Sequence, residues 1–145
     1  MTARIGIARA ADGTLTPGGS ERSYVPGICN IGPAEIARRR RAGHTGLIAT
    51  LALLAVLVAI HAPSATRLLL FVPAAGAAIG YLQARFRFCA GFGGRGVFNF
   101  DALGRTDAVL DPAARAKDRA MATRLALASA AIGLVVAVGA VLLPA

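Results

Sequence analysis

The chain has no tryptophan, a single lysine, two cysteines and only seven acidic residues among 145. Each scarcity excludes something. Cys29 and Cys89 are too far apart for a CxxC pair, and two cysteines make neither a disulfide framework nor a structural zinc site. No Asp or Glu falls within the three longest apolar runs, which speaks against ion or proton carriage by this chain alone, because such transport draws on ionisable groups at membrane depth. No Ser or Cys nucleophile has a base beside it, which disfavours hydrolytic catalysis. With 16% charged and 56% hydrophobic residues, an ordinary soluble domain of this size is also excluded, and a membrane is the expected solvent.

What is present fits that solvent. Residues 42–62 (AGHTGLIATLALLAVLVAIHA) carry no formal charge over 21 positions, enough at 1.5 Å per residue to cross ~30 Å of hydrocarbon. A helix is expected to start upstream, at Pro33, with Glu35 in its first turn, where a negative charge complements the helix dipole. After a turn at Pro63-Ser64, residues 68–84 form a second span of about minimal length, with a kink expected at Pro73. The third span, 125–143, follows Asp111-Pro112, which reads as an N-cap and first helical position, so that a polar helix runs from Pro112 into the membrane. The expected fold is all-α, with three transmembrane helices: a flexible tail over 1–27, a membrane domain over 28–145, and an interfacial loop over 85–124. The first strongly apolar run begins near Leu47, too late for a signal-peptide core.

The charges set the expected orientation. Fifteen of the sixteen basic residues are arginine: seven precede the first span, Arg67 alone lies in the first loop, eight basic residues lie between Arg85 and Arg124, and none follows the third span. Retention of basic flanks on the inner side places the tail, the loop and the N-terminus in the cytoplasm and the C-terminus outside. The net charge of +9 is then met by anionic headgroups, and nucleic acid is not an expected partner.

Three groups of residues stand out. Gly76 and Gly80 make a GxxxG motif, matched by Ser129-x-x-x-Gly133 in the third span; such faces let helix backbones approach closely, either within one chain, between the second and third helices, or against a partner. Arg38, Arg39, Arg40 and Arg41 cover every face of one turn and are expected at lipid headgroups. So are Arg85, Arg87 and Arg95, interleaved with five phenylalanines in RFRFCAGFGGRGVFNFD, since aromatic rings and snorkelling guanidinium groups both favour that zone. Gly91, Gly93 and Gly96 match GxGxxG but follow a membrane helix rather than a strand, so no dinucleotide site is read there. Cys29 and Cys89 form a candidate thiol pair beside the inner helix ends, with nearby arginines as activators and inert burial as the alternative. His44 and His61 sit roughly 25 Å apart along the first helix and cannot share a metal. No cofactor is predicted.

Asn30-Ile31-Gly32, Glu35, Arg39 and Gly43, followed by an apolar helix, resemble the opening of YgaP-like inner-membrane domain proteins over roughly residues 29–83. Ile36 departs from that pattern, and the family unit has two membrane helices rather than three. With Gly96, Asn99 and Asp101, the whole also resembles small bacterial membrane proteins of no assigned activity. Where YgaP-like domains occur in sulfur-transferring proteins, the chemistry belongs to an attached rhodanese domain, so the resemblance implies architecture rather than a reaction. The expectation is a non-enzymatic, multi-pass accessory subunit of a larger complex in the bacterial inner membrane, associating with lipid and with other subunits or itself; the alternative is a cytoplasmic-side thiol redox or metal-handling protein using Cys29 and Cys89.

Overall fold

The computed structural model describes residues 23–143, so residues 1–22 of the expected tail lie outside it. Helix α1 (Pro33–Ala59) opens on Pro33, whose missing N–H has no helical acceptor to lose at that position. It ends near His61, which adopts a left-handed φ of 52°. A 3-10 turn (Ser64–Leu70) leads into α2 (Phe71–Phe86). Pro73 falls in the first turn of α2, where an N–H is dispensable, so the irregularity of this span is the 3-10 turn itself rather than a mid-helix kink.

Beyond α2, the expected loop over 85–124 is largely regular structure. It contains α3 (Ala90–Arg95) and an antiparallel pair, β1 (Val97–Phe98) with β2 (Asp107–Ala108), in which Val97 faces Ala108 and Phe98 faces Asp107. The fold is therefore mostly helical, with one short hairpin that an all-α reading omits. The Asp111 carboxylate caps α4 (Pro112–Val141), accepting from the amides of Ala113 at 2.9 Å and Ala114 at 3.3 Å. This helix runs unbroken for 30 residues, roughly 45 Å.

Three helical segments, Pro33–Ala59, Ser64–Phe86 and Pro112–Val141, are long and apolar enough to cross a membrane. Their outward faces carry exposed Ile48, Leu51, Val72, Leu127 and Val135, the kind of broad apolar surface that marks a membrane or partner contact. Helix α2 packs against α1 on one side and α4 on the other, while α1 and α4 scarcely touch. Small residues make both seams close. A Cβ on Gly80 would meet the backbone of Gly43 at 2.5 Å, one on Gly46 that of Ala77 at 2.6 Å, and one on Gly133 that of Ala75 at 2.9 Å. The α4 seam is a single stripe, Ala114, Asp118, Ala122, Leu125, Ser129, Gly133, Ala137 and Ala140, at the three- and four-residue steps of one helix face.

At one end of the bundle Arg67 is buried and donates from Nη1 to the carbonyls of Ala140 (3.0 Å) and Leu143 (2.8 Å). A cation here adds a donor to carbonyls at the C-terminal end of α4 and complements the negative end of its dipole. Although sequence alone puts Arg67 in a turn, it is a helix cap. The opposite end carries the remaining arginines of the described region, and there the polar structure concentrates.

Candidate functional site

Side-chain amides tie the arginine-bearing end together. Asn30 is fully buried; its Oδ1 accepts from Cys89 N at 2.7 Å and its Nδ2 donates to Cys89 O at 3.1 Å, so one side chain saturates the backbone of the residue that precedes α3. Around it the chain pairs as a strand would: Gly32 N donates to Asn99 O at 2.7 Å and Asn99 N to Asn30 O at 3.0 Å. Asn99 then holds its own turn through Ala102 O and Asp101 N, and Gln83 Oε1 accepts from Ala90 N at 3.2 Å. Gly32 admits this pairing, since a Cβ would lie 2.9 Å from the backbone of Phe100.

Beneath these amides lies a charged cluster. Glu35 is 1% exposed, with Arg38 Nη1 and Arg39 Nη2 each 3.5 Å from its carboxylate. Arg39 reaches inward: Nη2 donates to Cys89 Sγ at 3.0 Å and its guanidinium sits 5.8 Å from the centre of the Phe92 ring, which Arg95 approaches to 5.5 Å. Of the four arginines of the 38–41 run, Arg39 is thus the one turned inward. Its side chain is only 19% exposed, because a buried carboxylate one turn earlier draws it in. Arg38, Arg40 and Arg41 are exposed, as are Arg85, Arg87 and Arg95.

The phenylalanines also differ from expectation. Phe88 is fully buried against Ala122 and Leu125 of α4, and Phe92 packs with Ile31 and Cys89; Phe86 alone of the five stays largely exposed. Phe88 and Phe92 thus form the apolar core of a small cap. Its glycines serve close packing. A Cβ on Gly93 would strike the Phe88 ring at 2.6 Å, and Gly96 takes φ +70° to end α3 against Arg115. Cys89 is 2% exposed, whereas Cys29 is partly exposed and bonds only weakly to Ile31 O at 3.9 Å. His44 Nδ1 lies 2.6 Å from the Tyr81 hydroxyl and His61 is at the other end of α1. Among the described residues no group of three or more His, Cys, Asp or Glu is placed to hold a metal.

Of the four small residues expected to pack helices, Gly80 faces α1 rather than α4, Gly133 faces α2, and Ser129 is buried in the α4 seam with its hydroxyl turned back to Leu125 O at 2.7 Å. Gly76 is exposed, and a Cβ there would meet nothing within 4 Å. Sequence reasoning missed Asp118. This fully buried carboxylate accepts from the Tyr24 hydroxyl and from Gly27 N, both at 2.7 Å, docking residues 24–27 onto α4 with Tyr24 stacked on Phe98 at 4.8 Å. Residues 24–27 therefore belong to the folded body rather than to a tail. The signal was available: Asp118 falls four residues from Ala114 and four from Ala122, on the stripe that faces the cap.

The outer surface of this end holds an open cleft of about 640 Å³ between α1 and α2, lined by Arg40, His44, Tyr81, Arg85 and Arg87 with no acidic residue in its walls. Asn30, Gly32, Glu35, Arg39 and Gly43 all occupy packing or hydrogen-bonding positions in the cap and first seam. Comparison with protein-family models, curated proteins and solved structures finds no match to this chain.

Proposed function

We propose that the chain is a non-enzymatic accessory subunit of a larger assembly in the bacterial inner membrane, with its arginine-bearing cap in the cytoplasm and the Arg67 end outside. One observation carries the reading. Among the described residues, each of the eight buried polar side chains (Asn30, Glu35, Thr50, Arg67, Gln83, Asn99, Asp118 and Ser129) makes at least one hydrogen bond within the chain, with only Glu35 Oε2 and Arg67 Nε of these left unpartnered, which supports a role in holding the fold. The arginine distribution supports the orientation. Gly76 on α2 and Gly139 on α4 leave open backbone on the lipid-facing surface, where a partner helix gains close approach. Extraction of the full chain in mild detergent should recover a stoichiometric membrane partner, and Gly76→Leu should lose that partner while the chain stays folded. A lone monomer, indifferent to Gly76→Leu, would sink the proposal.

A second reading, as a thiol redox protein, is favoured by the 3.0 Å contact from Arg39 Nη2 to Cys89 Sγ, because a guanidinium stabilises a thiolate. It is opposed by burial of Cys89. Alkylation of the native protein is expected to modify Cys29 readily and Cys89 only on unfolding; rapid modification of Cys89 in the native state, slowed by Arg39→Gln, would reverse the preference.

A further inference from the structure

Because α1 and α4 both pack on α2 yet scarcely touch each other, they leave an apolar trough of about 390 Å³ along one face of α2. Leu47, Leu51 and Leu54 form one wall, Ala74 and Ala78 the floor, and Ile132 lies on the other wall. From Leu70 to Tyr81 it runs roughly 16 Å along the helix axis. Tyr81 is also a wall of the basic cleft, so this one ring borders both cavities. The ring lies over Gly43, with its hydroxyl at His44, which places its polar edge at the cleft side.

We infer that this composite groove binds one anionic phospholipid, its phosphate among Arg40, Arg85 and Arg87 and an acyl chain along the trough. Charge complementarity selects this occupant. The three guanidinium groups have no carboxylate within ion-pair distance among the described residues, and the cleft walls contain no acid. A phosphate satisfies them with charge-assisted hydrogen bonds. The cleft alone would take any anion; an uncharged trough on the other side of Tyr81, lined by leucine and alanine, favours a phospholipid over free phosphate. A partner helix in the trough would leave the arginines unmatched. The inference rests on membrane insertion of the three helices but not on the existence of a partner subunit.

The full chain in neutral detergent, stripped of lipid by exchange, provides the test. Native mass spectrometry and thermal unfolding would compare phosphatidylglycerol, phosphatidylcholine with the same chains, and inorganic phosphate. One phosphatidylglycerol per chain should be retained in preference to phosphatidylcholine, raise the unfolding midpoint, and resist displacement by excess inorganic phosphate. Arg40→Gln with Arg85→Gln, both at exposed helical positions, should weaken retention about thirtyfold. Arg105→Gln with Arg119→Gln removes the same charge from exposed positions outside the cleft and should leave retention unchanged. Ile132→Trp, which fills the trough from a half-exposed position, should also weaken it. Equal losses in the two double variants would reduce the effect to diffuse attraction and overturn the site. So would retention unaffected by Ile132→Trp, stabilisation by inorganic phosphate alone, or a lipid-free dimer with the trough closed by a second copy.

Discussion

Gly80→Leu is expected to separate α1 from α2 and destabilise the protein by about 3 kcal/mol or more, whereas Gly76→Leu, four residues away in the same motif, leaves the fold within about 0.5 kcal/mol of wild type. The difference lies in what each new side chain meets. At position 80 the first added carbon falls 2.5 Å from Gly43 N, 2.7 Å from Gly43 Cα and 2.9 Å from Arg39 O. These are backbone atoms of a helix that cannot rotate away, so relief requires parting the helices and undoing the Gly46–Ala77 approach beside it. At position 76 there is open space. Unfolding in mixed micelles, followed by circular dichroism, distinguishes the variants; equal tolerance at both positions would mean that the α1–α2 seam is not as described.

Asp118→Ala is expected to undock the N-terminal segment from α4 at a cost of about 3 kcal/mol or more, because the Tyr24 hydroxyl and the Gly27 amide each lose a bond to a charged acceptor. The damage should be local. Hydrogen exchange should accelerate over Val25–Gly32 and the β1–β2 hairpin while the middle of α2 keeps its protection; unchanged exchange around Gly27 would contradict the docking. The same contact has a pH signature. Burial, reinforced by the hydrogen bond to Asp118, raises the Tyr24 phenol above its ordinary range. The folded chain then keeps a proton that the unfolded chain releases, so stability from this contact is full below about pH 10 and declines as pH rises past that value. Tyr24→Phe should remove this alkaline slope.

The three long helices are legible in the sequence because their spans lack charge and because Pro33 and Asp111-Pro112 mark helix starts by local chemistry alone. The pairing of helices is not. GxxxG announces a close approach without naming the partner, and here Gly80 meets Gly43 while Gly133 meets Ala75. Nor do both glycines of the motif share the seam: Ala77 and Gly80 face α1, and Gly76, about 100° around the helix from Ala77, falls on its rim. The cap was hidden for another reason. Its phenylalanines and arginines have the composition of an interfacial segment, and only long-range bonds, Asn30 to Cys89 and Tyr24 to Asp118, turn that composition into a packed unit. Glu35 was visible as a dipole partner, but its capture of Arg39 from a run of four arginines depends on burial that no local pattern reports.

Arg67 links the end of the bundle to the order in which it is made. Its two carbonyl acceptors lie 73 and 76 positions later in the chain. The chain through α2 is synthesised long before them, and the guanidinium lacks both acceptors until the final turn of α4 arrives. Docking of α4 then withdraws that charge from water, so one side chain distinguishes a finished bundle from a half-built one.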